Sequence, residues 1–210
     1  MTSSDFTFLL ALVEPLAVLT GMACVALTVR EKILNWPVGI VSSGLFLALF
    51  ATAGLYADSM LQIVYVVLGF YGWWHWLTGG PRRNALPVTA ASTRLRLALV
   101  AVAVIGTLVF GAFLDGATDS TVPYPDAATT VLSLIAQFLL TRKHIENWAV
   151  WIIGVNLPYI AIYLYKGLAM TAAIQIVYIA LSIAGWVSWQ RSMAEPAAAR
   201  RTPAAEGGLR

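Results

Sequence analysis

Long apolar runs recur along nearly the whole chain, near 8–29, 36–54, 58–77, 95–114, 126–142, 148–165 and 170–190, broken by charges or by glycine and proline clusters. Each approaches the about 20 residues that a helix needs to cross about 30 Å of hydrocarbon. Inside lipid no water can satisfy a free backbone N–H or C=O, so a span of this kind must pair its backbone internally, as an α-helix does. A soluble core could absorb one or two such runs, not a succession of them. Composition agrees: 60% of the residues are hydrophobic and only 11% charged, against about 25% charged in soluble domains, and the mean hydropathy is +0.78. The expected fold is an all-α integral membrane protein with seven transmembrane helices. The first run, from about Phe6 to Val29, lacks a basic leader and is expected to be a retained span rather than a cleaved signal peptide.

If every run crosses, Arg30, Lys32, Arg82, Arg83, Arg94, Arg96, Arg142, Lys143 and the basic tail share one side of the membrane, and only Lys166 falls opposite. Asp5, Asp58, Asp115, Asp119 and Asp126 then lie on the other side. The positive-inside rule places the N-terminus outside and the C-terminus in the cytoplasm. The formal charge of +3 therefore reads as an orientation signal, not as a nucleic-acid surface. The single cysteine, Cys24, sits in an apolar run and cannot form an intrachain disulfide.

The chain also repeats itself. "NWPV" from Asn35 matches "NWAV" from Asn147, and at the same offset of 112 residues Arg30 meets Arg142, Ile33 meets Ile145 and Glu14 meets Asp126. One inserted residue later, at an offset of 113, "LQIVYV" from Leu61 meets "IQIVYI" from Ile174, and Gly54, Gly72, Trp73 and Trp76 meet Gly167, Gly185, Trp186 and Trp189. Each repeat holds three spans, and an odd span between them restores the orientation, giving a 3+1+3 plan with two parallel three-helix repeats. The expected organisation is repeat 1 over 8–77, a linking helix over 94–114, repeat 2 over 126–190 and a disordered cytoplasmic tail over 191–210. Parallel repeats about an axis along the membrane normal are a transporter architecture, as in the SWEET sugar carriers, with substrate held between the halves.

Within repeat 2 the fifth span carries Asp126, Thr130, Ser133, Gln137 and Thr141, with Thr129 beside them. At about 100° per residue they fall within about 120° of one another, so this face must turn to protein or to a water-filled path. Asp126 is also placed to cap the helix N-terminus. On the sixth span Trp148, Trp151, Asn156, Tyr159 and Tyr163 share a face, with Pro158 expected to kink the helix. Packed together, the two faces would enclose a site of flat aromatic walls, amides and hydroxyls. Aromatic faces attract a cationic ring by roughly 0.5 to 2 kcal/mol each, and Asn or Gln fixes hydroxyls or a carboxamide. Trp148, near the basic loop, reads as an interface anchor, with Trp151 the better ligand candidate. The duplicated pairs Gln62/Tyr65 and Gln175/Tyr178 read first as helix-to-helix hydrogen bonds, and "YGWWHW" from Tyr71 as an aromatic belt.

The catalytic inventory is thin. The histidines, His75 and His144, sit at helix ends, with no nucleophile–base pair, metal-ligand spacing or cofactor motif around them. No Lys or Arg lies in mid-span, and carboxylates cluster near the ends apart from Glu14, unless Pro15 marks the start of that helix. Ion-coupled carriers usually need intramembrane ionisable groups, so facilitated diffusion is the expected mode. A sugar carrier, an intramembrane enzyme and a non-transporting scaffold are the competing readings.

The stretches "TRKHIENWAVWIIGVN", "NWPVGIVSSGLF", "SMLQIVYV", "YGWWHW" and "TTVLSLIAQFLLTRK" together resemble the PnuC family, bacterial transporters of nicotinamide riboside and related vitamins, in the same order over residues 15 to 190. The resemblance implies a SWEET-like bundle in the inner membrane, assembled as a homotrimer. It implies movement of an unphosphorylated riboside down its gradient, with a cytoplasmic kinase trapping the product. The substrate-site role falls on Gln137, Trp151 and Asn156, followed by Asn147, Trp148, Thr129 and Ser133; Tyr159 joins them from the aromatic face described above. Pro125 departs from the aromatic residue the family carries before the aspartate of the fifth span. Relatives carry thiamine, riboflavin or deoxynucleosides through the same fold, all of them flat-ring compounds.

Overall fold

The computed structural model describes residues 3–52, 56–80, 85–118, 120–165, 167 and 169–194. Among them the chain forms seven long helices: α1 Ser3–Val29, α2 Asn35–Thr52, α3 Tyr56–Thr78, α4 Thr93–Ala117, α5 Pro123–Thr141, α6 Glu146–Tyr165 and α7 Ala169–Ala194. Four stretches, Asn35–Thr52, Thr93–Ala117, Glu146–Tyr165 and Ala172–Ala194, are long and apolar enough to span a bilayer by length and composition alone, with Val13–Val29 a shorter apolar helix. α5 falls outside that set because its polar stripe dilutes its hydropathy. Arg82, Arg83, Asp119, Lys166 and the tail from Glu195 lie outside the described residues.

Six helices close a ring. α1 packs on α2, α2 on α3, α3 on α5, α5 on α6, α6 on α7, and α7 back on α1. The first helix of each repeat thus meets the last helix of the other, the contact pattern of a pseudo-twofold axis through the middle. α4 packs against α5 outside the ring and leaves Leu97, Val100, Ile105, Leu108 and Phe113 exposed, an apolar surface suited to lipid.

The repeat seen in the sequence is also a repeat of interactions. α1 and α5 both end in a Schellman turn. Lys32 N–H donates to Leu27 O and Glu31 N–H to Thr28 O; 112 positions on, His144 N–H donates to Leu139 O and Lys143 N–H to Leu140 O, all at 2.9–3.0 Å. The turn needs one residue with positive φ, and Glu31 (54°) and Lys143 (56°) occupy it. Asn35 and Asn147 then stand in the first turns of the next helices, each donating its amide Nδ2 at 2.7 Å, to Lys32 O and His144 O. Gly72 and Gly185 exist for close approach: a Cβ there would strike the rings of Trp36 and Trp148 respectively.

Where the repeats differ by one residue, the backbone shows it. α6 is α-helical over Glu146–Ala149, widens into a π-helix over Val150–Asn156 and returns to α over Leu157–Tyr165, whereas α2 is α-helical throughout. A π turn absorbs one extra residue in a helix, and the offset between repeats changes here from 112 to 113. Before it Val38 matches Val150. Beyond it the stacked pair Phe46/Phe50 (5.6 Å) matches the stacked pair Tyr159/Tyr163 (5.2 Å). Pro158, where a kink was expected, sits just past a widened turn. It has no N–H to donate and would crowd the carbonyl four residues back in a regular helix, and the widening relieves both.

Three further expectations are corrected. Pro15 lies inside α1, so it does not start that helix. Asp126 is not the N-cap of α5: Pro123 and Val122 hold the N-terminus, and Asp126 sits in the first turn accepting from Ser120 Oγ at 2.8 Å. Arg191 to Ala194 continue α7 instead of starting the tail, since nothing in Arg-Ser-Met-Ala breaks a helix.

Candidate substrate cavity

One end of the ring is packed shut. Trp36, Trp76, Trp148 and Trp189 form a buried cluster with Ile145, Leu140 and Val88. Trp36 meets Trp76 edge-on at 5.3 Å, Trp148 meets Trp189 edge-on at 5.3 Å, and Trp76 and Trp189 approach each other at 5.9 Å. The cross-repeat bonds are matched as well: Trp76 Nε1 donates to Leu140 O and Trp189 Nε1 to Thr28 O, both at 3.0 Å, and the two acceptors are themselves 112 residues apart. Glu31 and Lys143 pair across the halves, and the Lys143 ammonium also donates to Leu86 O at 2.9 Å and lies 4.7 Å from the Trp76 ring. The segment after α3 is strapped over this end. Thr89 exchanges backbone bonds with Lys143 and Ile145, and Ala91 N–H and Arg96 bind the Glu146 carboxylate.

Above the tryptophans lies a cavity of about 380 Å³ between the repeats. Six residues expected at the site line it: Gln137 from α5 and Asn147, Trp148, Trp151, Asn156 and Tyr159 from α6. Two others stand apart from its wall. Thr129 is buried and turns its hydroxyl back on Pro125 O and Asp126 O of its own helix, a bond short hydroxyl side chains readily make in apolar surroundings. Ser133, also buried, donates to Thr130 O and accepts from the Tyr65 hydroxyl at 2.7 Å, so it holds a wall residue in place from behind. Trp148 is only 2% exposed, which rules out the interface-anchor role: the α7 glycine under it draws the indole into the interior. Trp76 is likewise interior, whereas Trp74, exposed, suits an aromatic belt.

Of the duplicated Gln–Tyr pairs, Tyr65 makes the expected helix-to-helix hydrogen bond, to Ser133. Gln62, Tyr65, Gln175 and Tyr178 all line the cavity, as do Asn35, Trp36 and Cys24 of repeat 1. The signal was the duplication itself, because a cavity on a pseudo-twofold axis is lined by matched residues from both halves. Among the described residues, no Lys, Arg, Asp or Glu lines the cavity. The site offers aromatic faces, carboxamides and hydroxyls without net charge. Among the buried polar atoms here, Trp36 Nε1, Trp148 Nε1 and Asn147 Oδ1 have no hydrogen-bond partner.

Comparison with known proteins places this arrangement. The nicotinamide riboside transporter PnuC of Escherichia coli (strain K12) is 25% identical over 89% of this chain and 88% of its own length. PnuC of Neisseria mucosa is 29% identical over 83% of this chain and 70% of its own length. The riboflavin/roseoflavin transporter RibM of Streptomyces davaonensis is 29% identical over 80% of both chains. The crystal structure of the vitamin B3 transporter PnuC superposes with a TM-score of 0.68 at 27% identity, covering 86% of this chain and 81% of that one. The family model described as nicotinamide mononucleotide transporter matches residues 11–191, from the first helix to the last. This multi-pass membrane protein therefore belongs to the nicotinamide mononucleotide transporter family.

Proposed function

We propose that the protein is a facilitated carrier of nicotinamide riboside. The observation that carries this reading is the uncharged cavity on the axis between the repeats, with Trp151 and Tyr159 as aromatic walls and Gln137, Asn147 and Asn156 as carboxamides. The riboside presents a flat pyridinium ring, which aromatic faces attract, together with a carboxamide and ribose hydroxyls that amide side chains can bind. A phosphorylated nucleotide fits less well: its dianion would leave water for a cavity with no countercharge, and burying an unpaired charge is costly. The relatives named as riboside transporters support the choice.

The basic residues clustered with the closed end and the tail support an orientation with the N-terminus outside and the C-terminus in the cytoplasm of a bacterial inner membrane. A homotrimer, and trapping of the carried riboside by a cytoplasmic kinase, complete this reading on the strength of the PnuC likeness. The absence of charged side chains among the described lining residues supports transport down the substrate's own gradient. Uptake of another flat-ring vitamin is the second reading, favoured by the similarity to RibM.

The test is an equilibrium titration of detergent-purified protein with nicotinamide riboside, with thiamine and riboflavin as competitors. Saturable riboside binding that resists both competitors is the expected result. Binding of riboflavin in its place would transfer the chain to the second reading.

A further inference from the structure

Each repeat carries a tyrosine on its third helix that reaches across to the first helix of the other repeat. Tyr65 on α3 and Tyr178 on α7 stand 113 residues apart, and both line the cavity. The positions they reach are matched as well. Tyr65 meets Ser133 on α5, and Tyr178 meets Gly21 on α1, 112 residues before Ser133. A Cβ added at Gly21 would lie 3.2 Å from the Tyr178 hydroxyl oxygen. The geometry is repeated, but the chemistry is not. Ser133 Oγ accepts the Tyr65 proton at 2.7 Å, whereas Gly21 has no side chain with which to accept one from Tyr178.

Ser42 does not take over that task. Its Oγ lies 3.2 Å from the same added Cβ, yet it donates to Ala17 O at 2.9 Å. Among the described residues, none hydrogen-bonds the Tyr178 hydroxyl. A phenol hydroxyl facing a cavity with its proton unspent is a donor available to a ligand. We propose that Tyr178 is a substrate-binding residue: its hydroxyl donates to an uncharged acceptor oxygen of the substrate, while Tyr65, held by Ser133, serves as fixed wall. This rests on the riboside reading and deepens it, since the riboside offers such oxygens in its ribose and carboxamide. It adds α7 to a set of contacts otherwise drawn from α5 and α6. Gly21 is what separates the two tyrosines, because a serine there would engage Tyr178 as Ser133 engages Tyr65.

The experiment measures riboside affinity and ligand-free melting temperature for Tyr178→Phe, Tyr65→Phe, Gly21→Ser and Gly21→Ser combined with Tyr178→Phe. Tyr178→Phe should raise the Kd about tenfold, the size of one hydrogen bond in a binding site, with an unchanged melting temperature. Tyr65→Phe should do the reverse, lowering the melting temperature and raising the Kd a few-fold at most. Gly21→Ser should weaken binding by spending the Tyr178 hydroxyl, and the double variant should bind no more weakly than Tyr178→Phe. Wild-type affinity in Tyr178→Phe, or a loss of melting temperature as large as that of Tyr65→Phe, overturns the assignment while leaving the riboside reading intact. Failure of the wild-type protein to bind riboside removes that reading and the inference with it. Tyr178→Phe deletes a single oxygen atom and decides the question even where Gly21→Ser does not fold.

Discussion

Glu31 and Lys143 occupy the same position in the two repeats, both with positive φ, and they pair with each other, Lys143 Nζ lying 2.8 Å from Glu31 Oε2. A duplicated turn has become an unlike-charged couple across the pseudo-twofold axis, at the end of the bundle closed by four tryptophans. The Lys143 side chain is only 9% exposed, while that of Glu31 is 23% exposed. Removing the carboxylate leaves a buried ammonium that keeps Leu86 O and the Trp76 face. Glu31→Gln should therefore cost about 1 to 3 kcal/mol, less than the loss of a fully buried pair. Thermal unfolding in detergent measures it, and Glu31→Gln combined with Lys143→Met should recover part of the loss. A double variant less stable than the sum of the single ones would contradict a pairwise coupling.

Trp76 and Trp189 make the same bond in opposite directions across the repeats. Trp76→Phe and Trp189→Phe each remove one of the hydrogen bonds that Leu140 O and Thr28 O accept, with the backbone N–H of the Schellman turn still in place, costing about 0.5 to 1.5 kcal/mol. The expectation is that the two substitutions lower the melting temperature by similar amounts. Strongly unequal losses would mean that the matched geometry does not carry matched energy.

The cavity residues separate by their distance from the ligand space. Trp151→Ala and Asn156→Ala should abolish riboside binding with folding retained. Ser133→Ala should weaken binding only a few-fold, because it acts by releasing the Tyr65 hydroxyl. Thr129→Ala should leave affinity unchanged, since its hydroxyl is spent on its own helix. A titration series over the four variants checks the order, and a Thr129→Ala defect as large as that of Asn156→Ala would contradict it.

His144 gives a pH dependence. It lies between α5 and α6, and burial lowers its pKa below the usual 6.5, with Arg142 acting in the same direction and Glu146 and the Thr89 backbone partly opposing. A base with a lowered native pKa binds fewer protons when folded than when unfolded, so stability rises with pH through the window just below 6.5. Acidification through that window should destabilise the wild-type protein more than His144→Asn. Parallel melting-temperature profiles for the two proteins would exclude His144 as the source.

The segmentation into spans was legible because helices in lipid must be long and apolar, a requirement written in consecutive residues. The repeat was legible because Asn35/Asn147, Trp76/Trp189 and the Gln–Tyr pairs stand at fixed offsets. Even the inserted residue could be counted, although only the backbone shows that it is taken up as a π turn beside Trp151 and Asn156. The polar stripe of α5 was visible as a face, but a face does not say which hydroxyls are free. Thr129 and Ser133 look alike in the sequence, and packing alone turned one onto its own helix and the other onto Tyr65.

By itself, then, the sequence determined an all-helical membrane bundle with two parallel repeats and an aromatic, amide-bearing α6. These follow from local spacing and from duplication, which act along the chain. The tertiary structure decided which residues meet across the axis: the tryptophan seal and the Glu31–Lys143 couple. Those depend on how far two distant helices approach, and that distance is set by glycines and indoles fitting together in three dimensions, where sequence separation carries no information.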